Sequence, residues 1–360
     1  MEVSANKTRS LSKKKGFLFW VIALTILLAG TVVGAIAIGS TYIEPGEVYK
    51  VLLNKLTNGA LFGGVGEVMI QNIIWEIRFP RVLLGAICGS GLAICGVLMQ
   101  CVTKNPIAEP YILGISSGAS CGAVATIVLG GVASLGINSI TAGAFVGSMV
   151  SGVLVFAIGT QMGKTTSTTR LVLTGMAIST IFSALTNLLI YSAKNSNQAK
   201  NALFWTIGSL GGAKWEVLLI PFIVLILVII VSFVMSKSLD ILLLGDDSAI
   251  ILGINIKLIK SIILILSTLL TATLVAITGA IGFIGLVVPH ICRTIAGSDH
   301  KKLIVLSSLI GAIFLILSDV LARGLFPPIE IPIGIITALV GGPFFLYLIS
   351  KKNYSFGGRD

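Results

Sequence analysis

The sequence predicts an all-α, polytopic membrane protein of about ten spanning helices. Hydrophobic residues make up 55% of the 360 and charged residues only 11%, a balance that no soluble domain of this size tolerates on its surface. Apolar windows of about 20 residues, the length that crosses roughly 30 Å of hydrocarbon, recur along the whole chain. The basic residues, which give a formal charge of +11, gather in alternate gaps between those windows.

The first window, 17–38, follows Lys7, Arg9, Lys13, Lys14 and Lys15. This start imitates a secretory signal, yet its apolar part runs to about 22 residues against the 7 to 15 of a signal core, so a retained first helix is expected. Residues 39–79 read as a soluble outer loop with Gly39, Pro45, Gly46, Gly63, Gly64, Gly66 and four glutamates. Windows at 80–101, 111–129, 139–160 and 170–191 follow. Small residues punctuate them, as in GAICGSGLAICG at 85–96, the pattern that lets membrane helices approach closely. A second soluble-looking stretch, 192–215, carries a Lys/Asn run and then WTIGSLGGAKW. Windows at 216–236, 257–280, 302–322 and 331–350 bring the clear spans to nine. The tenth is 284–296, where Pro289, His290 and Arg293 interrupt a short apolar run. A proline lacks the amide a helix needs, and a guanidinium in hydrocarbon costs about 2.5–3.5 kcal/mol on insertion scales. A broken or half-length helix inside the bundle is therefore predicted.

Ten crossings put both termini on one side. The N-terminal cluster, Lys104, Lys164 with Arg170, Lys237 with Lys257 and Lys260, Arg293 with Lys301 and Lys302, and Lys351, Lys352 and Arg359 then share a face. They are most of the 25 basic residues, so the positive-inside rule makes that face cytoplasmic. The expected organisation is a basic cytoplasmic N-terminus at 1–16, one helical domain at 17–350 and a cytoplasmic tail at 351–360.

Composition also excludes. The Lys and Arg residues lack the aromatic interleaving of a nucleic-acid groove. Cys88, Cys95, Cys101, Cys121 and Cys292 lie in or beside apolar segments with no CxxC pair and no His at ligand spacing, so they read as small buried hydrophobes, and no metal site is expected. No phosphate-cradling GxxxxGK[ST] and no Ser/His/Asp arrangement is present. If ATP drives this chain, another subunit must hydrolyse it.

Between two windows, LDILLLGDDSAIILG at 239–253 interrupts its leucines and isoleucines with Gly245 and the pair Asp246 and Asp247. Those aspartates can cap a short helix beginning near Ser248. On the cytoplasmic side such a helix either receives force from a soluble motor or packs the bundle as an interfacial helix.

Six stretches, in order and at similar intervals, resemble the permeases of the FecCD/BtuC family of binding-protein-dependent ABC importers. They are RFPRVLLGAICGSGLAICGVLMQ at 78–100, NPIAEPYILGISSGA at 105–119, TTRLVLTGMAIS at 168–179, LGDDSAIILGI at 244–254, GAIGFIGLVVPHICR at 279–293, and DVLAR with EIPIGIITALVGGPFF within 319–345. The resemblance implies ten helices per subunit and a homodimer, or a close heterodimer, with the path at its interface. It also implies two ATPase subunits beneath, which bind ATP and Mg, and a substrate-binding protein above. The implied cargo is a ferric siderophore, with cobalamin and haem as alternatives within the family.

Carried over residue by residue, the resemblance makes 241–253 the ATPase-coupling segment, with Leu244, Gly245, Asp246, Asp247, Ser248, Ala249, Leu252 and Gly253 as its positions. Two aspartates stand where the family usually has glutamates. Arg78, Arg81 and Arg323 match outward-facing arginines that receive carboxylates of the binding protein; guanidinium groups suit that chemistry. From the residues alone, Arg78 and Arg81 read equally as interfacial snorkelling, and Arg323 as an i,i+4 partner of Asp319. Asn105, Ile107, Thr168 and Thr169 match positions that narrow the cytoplasmic end of the path. Asn105 before Pro106 is pushed out of the helical region, which fits a hinge, a plug or an ordinary turn, and the threonines equally fit an N-cap. For Pro289, His290 and Arg293 the family implies a structural role in the broken helix. A histidine at that depth would otherwise serve an ion-coupled carrier as a proton relay, which is the alternative mechanism.

Overall fold

The computed structural model describes residues 2–39, 43–57, 67–130, 138–160 and 168–350. The basic tail 351–360, Lys164 and the glycines Gly63, Gly64 and Gly66 lie outside the described residues. Helices α1 (Glu2–Ala37), α2 (Pro45–Leu56) and α3 (Val68–Asn72) lead through a π-helical turn, Ile73–Arg78, into α4 (Phe79–Thr103). A 3₁₀ turn, Pro110–Leu113, precedes α5 (Ile115–Leu129), α6 (Asn138–Thr160), α7 (Thr168–Tyr191) and α8 (Ser196–Ile207). Then come α9 (Trp215–Val234), α10 (Ser236–Leu242), α11 (Asp246–Ile251), α12 (Ile256–Thr278), α13 (Ile284–Ala296), α14 (His300–Gly324) and α15 (Ile333–Ser350). Seven helices among the described residues are long and apolar enough to cross a bilayer, and three shorter apolar ones stand at the remaining predicted windows.

One prediction changes. Residues 68–79 are not a soluble loop but the first turns of a continuous apolar helical run, Val68–Thr103. Gln71, Asn72 and Glu76 dilute the hydropathy there, which hid the run from a window average. Trp75 and Phe79 on this run pack against Trp215, with ring centroids 5.0 and 5.5 Å away, and the Trp215 indole Nε1 donates to the Trp75 carbonyl at 2.9 Å. The two stretches read as soluble, 39–79 and 192–215, thus meet at one end of the bundle.

Helix α4 is the axis of the fold. Almost every residue from Pro80 to Thr103 is buried, because glycines on its sides admit neighbouring backbones. A methyl group on Gly89 would fall on the Gly311 carbonyl of α14, and one on Gly96 would fall on the Gly285 carbonyl of α13. Helix pairs packed at backbone distance are what small residues allow in a medium that supplies no hydrophobic drive between helices. Ala35, Ile36 and Ala37 of α1 bury against Val48, Ile74 and Val82 at the end that carries Arg78. Helix α15 begins just past Glu330, at that same end.

The predicted half-length helix is present. After α12 the chain runs without helix through 279–283, with Gly279 and Phe283 in left-handed conformation, and α13 starts where Gly285 meets Gly96, part-way along α4. Non-helical backbone at this depth must have its polar groups served by protein. The Tyr111 hydroxyl does so, donating to the Ile281 carbonyl at 2.8 Å and accepting the Ile281 N–H at 3.1 Å.

Candidate functional site

The chemistry gathers at the two ends of α4. At its first turn, Arg78, Arg81 and Arg323 do converge, but none is an exposed charge; each is more than nine-tenths buried. Helix α1 ends here, and its last carbonyls have no partner within the helix. Arg78 Nη1 donates to the carbonyls of Ile36 and Ala37 at 2.7 and 3.0 Å, and Arg323 donates to those of Ala35 and Ile38 at 3.0 and 3.1 Å. Two cations thereby close the negative end of a helix dipole. Arg81 pairs with Asp319 at 2.9 Å and Glu330 at 2.8 Å, and Arg323 pairs with Asp319 at 2.9 Å. The i,i+4 reading of Arg323 therefore describes its geometry. Of the five residues in this cluster, three carry positive charge and two negative, and Glu330 alone is about half exposed.

At the other end, α4 stops at Lys104, whose φ of 48° lies in the left-handed region that reverses a helix terminus. The loop that follows is compact. Asn105 Oδ1 accepts the Ile107 N–H at 3.1 Å, and the Ala108 N–H reaches the Asn105 carbonyl at 3.1 Å. Ile107 is exposed. Thr169 is also exposed on the first turn of α7, and α7 packs on the 3₁₀ turn where Gly175 meets the Ile112 carbonyl. Thr168 opens α7.

The segment 241–253 runs from the end of α10 through α11 at this end. Its helix starts two residues earlier than predicted, and Gly245 is the N-cap, with no side-chain capping bond, so Asp246 and Asp247 sit in the first turn instead of capping it. Asp246 is drawn inward: its carboxylate accepts from Lys104 Nζ at 2.7 Å and Lys260 Nζ at 3.0 Å. Burial works against its charge, but the two lysine hydrogen bonds and charges outweigh that and hold the carboxyl below the usual carboxylate range. Asp247 is exposed, Ser248 partly so, and Ala249 is buried against the bundle. Leu244, Ile250, Ile251 and Leu252 are exposed, Ile251 at 85%. Asp247 on the same helix and Lys237 and Lys257 on the flanking helices are exposed as well, and a cluster of exposed large apolar side chains is the kind of surface that contacts a partner.

Three residues at this end carry no sequence signal of their role. Lys260, assigned as a loop cation, has its side chain 4% exposed. His300 is buried and its Nδ1 donates to Asp240 at 2.7 Å, while its backbone N–H reaches the same oxygen at 3.0 Å. Burial opposes the Asp240 charge, and the bonds from His300 with the charges of His300 and Lys301 overcome it, so that carboxyl too lies below its usual range. Gln100, fully buried, donates to the Gly285 carbonyl at 3.1 Å and accepts from Arg293, which ties the broken helix to α4. Pro289 is buried within α13, and His290 lies edge-on to Phe344 with centroids 6.1 Å apart. The five cysteines are free thiols, four buried and Cys121 only partly so.

The model of the FecCD transport family matches residues 24–351. The chain belongs to the FecCD transport family. It is 39% identical over 289 residues to the cobalamin import system permease protein BtuC of Halobacterium salinarum, covering 80% of this chain and 76% of that protein. It is 38% identical over 279 residues to the Fe(3+) dicitrate transport system permease protein FecD of Escherichia coli, covering 78% and 85%. A solved structure, an inward-facing conformation of a metal-chelate type ABC transporter, superposes with a TM-score of 0.79 at 31% identity over 92% of this chain and 98% of that one. This FecCD-family chain is thus a multi-pass plasma-membrane protein and the permease subunit of an ABC importer of metal-chelate type, not itself an enzyme. Permeases of this type work with ATPase and substrate-binding partners.

Proposed function

We propose that the chain moves a ferric siderophore inward by alternating access, as one of two permease copies with the path between them. Two cytoplasmic ATPase subunits that bind ATP and Mg dock at the Lys104 end, and an extracytoplasmic binding protein docks at the Arg81 end. The observation that supports this reading is the exposed apolar cluster on α11, beside the exposed Asp247, a surface suited to a protein partner. Leu244, Asp247, Ser248, Ile251 and Leu252 form the docking face. Gly245 and Gly253, with φ of 117° and 78°, bracket the helix and let it turn without strain.

In this reading the path is mostly apolar and binds its cargo weakly, so that gating and not affinity gives direction. Asn105, Ile107, Thr168 and Thr169 narrow the path at the Lys104 end. The surplus positive charge of the arginine cluster faces carboxylates of the binding protein, with Glu330 as the exposed member of the cluster. Pro289, His290 and Arg293 are structural, consistent with the bond of Arg293 to Gln100.

The test is uptake of labelled ferric siderophores, haem and cobalamin into proteoliposomes holding the chain, its ATPase and its binding protein. ATP-dependent uptake of a ferric siderophore is expected. ATP-dependent uptake of haem or cobalamin alone would reassign the cargo. Uptake driven by a proton gradient with no ATPase present would overturn the mechanism.

A further inference from the structure

We propose that Asp246 is the joint between the ATPase-docking helix and the gate loop: a positioning residue that carries motion, not a docking contact. This rests on the reading of the chain as an ATP-driven permease. Its two carboxylate oxygens are used on lysines from two different helices, Lys104 of α4 and Lys260 of α12. Lys260 is buried, so its charge requires an anion at that place, and Asp246 is the anion bonded to it. Lys104 is the residue at which α4 turns into the loop bearing Asn105 and Ile107.

Helix α11 is short and set off from its neighbours. It is six residues long and joined on either side through a glycine at positive φ. Its side-chain ties to the bundle include this three-element ion pair and the buried Ala249. Asp247, next along the chain, points to solvent. The helix thus has two faces with separate tasks: Ile250, Ile251 and Leu252 outward for a partner, Asp246 inward for the lysines.

The connection continues past Lys104. The Asn105 N–H bonds the Gln100 carbonyl at 3.2 Å, and the Gln100 side chain holds Gly285 and Arg293 of the broken helix. A displacement of α11 by a partner moves Lys104, and with it both the loop 104–109 and the seat of α13. The physical content is a contiguous chain of charge-assisted and neutral hydrogen bonds between two places that must act together.

The experiment uses the reconstituted assembly and reads ATPase-subunit affinity, ATP hydrolysis, uptake and hydrogen exchange of residues 105–109. Asp246→Asn is expected to keep ATPase-subunit affinity within about twofold and to keep hydrolysis, while uptake per ATP hydrolysed falls about tenfold and exchange at 105–109 quickens. Asp246→Glu restores coupling. Lys104→Gln, which keeps a hydrogen-bond donor and removes the charge, reproduces the uncoupling and carries the test if Asp246→Asn does not fold. Loss of ATPase-subunit affinity in Asp246→Asn as large as in Ile251→Ser would make Asp246 a docking contact and overturn the proposal. Unchanged uptake per ATP in both Asp246→Asn and Lys104→Gln would overturn it as well. Absence of ATP-driven uptake in the unmutated assembly overturns the importer reading itself, a different result from either.

Discussion

Asp319 on α14 holds the guanidinium of Arg81 on α4, 238 residues away along the chain, through both of its carboxylate oxygens. The same carboxylate holds Arg323, so one anion of 2% side-chain exposure is shared between two buried cations. Asp319→Ala leaves Arg81 with the half-exposed Glu330 and Arg323 with the carbonyls of α1 as their remaining partners, and removing one partner of a buried pair costs about 3–5 kcal/mol. Chemical unfolding in detergent should show that loss, while Glu330→Gln, at the half-exposed partner, should stay within about 1 kcal/mol.

Arg78, Arg81 and Arg323 hold the end of α1 and the α4–α14 contact, so reversing all three to Glu should unfold the chain before it reports on docking. The informative change is smaller. Arg78→Gln keeps a donor for the carbonyls of α1 and removes one charge from the cluster. Affinity for the binding protein should fall several-fold at low ionic strength and much less in high salt, where screening has already removed the long-range attraction. A salt-independent effect would place the docking charges elsewhere.

The lysine end gives a pH signature. Asp240 and Asp246 both have carboxyls below their usual range, so the unfolded chain binds protons more readily than the folded one as pH falls. Their contribution is complete above the ordinary carboxylate value, about 4, and is lost as pH drops through the lowered folded values. Thermal unfolding of Asp240→Asn and Asp246→Asn should show a lower Tm than the parent at neutral pH. The difference should shrink as pH falls below the ordinary carboxylate value and through the lowered folded ones.

The close contact of α4 with α13 yields a steric prediction. Gly96→Ala sets a methyl group on the Gly285 carbonyl, and backbone has no rotamer with which to yield. The cost of such overpacking is on the order of 3 kcal/mol. The broken helix must then shift off α4, and crosslinking between cysteines placed on α4 and α13 should weaken with it.

Much of this architecture is legible from residues alone, because the membrane imposes one length and one polarity on every span. The windows at 139–160, 170–191, 216–236 and 257–280 fall within a residue or two of α6, α7, α9 and α12. The half-helix at 284–296 is legible for the same reason, since Pro289 and Arg293 contradict lipid. What is hidden is pairing across the chain. Nothing near Arg81 in sequence points to Asp319, and Lys260 counts the same as any loop cation in a charge tally although it is buried on Asp246. Asp246 itself suits a helix cap by type and position. The lysines that claim it come from 142 residues upstream and 14 downstream.

The non-helical strand 279–283 is served by the hydroxyl of Tyr111, which gives one hydrogen bond to Ile281 and receives another. A single oxygen atom thereby stands in for a missing turn of helix. Phenylalanine at 111 would match the tyrosine in shape and apolar area, yet would leave an amide and a carbonyl without water or partner inside the bundle. The permissible alphabet at that position is consequently set by the neighbour's backbone, not by the hydrophobicity of the span in which the residue is written.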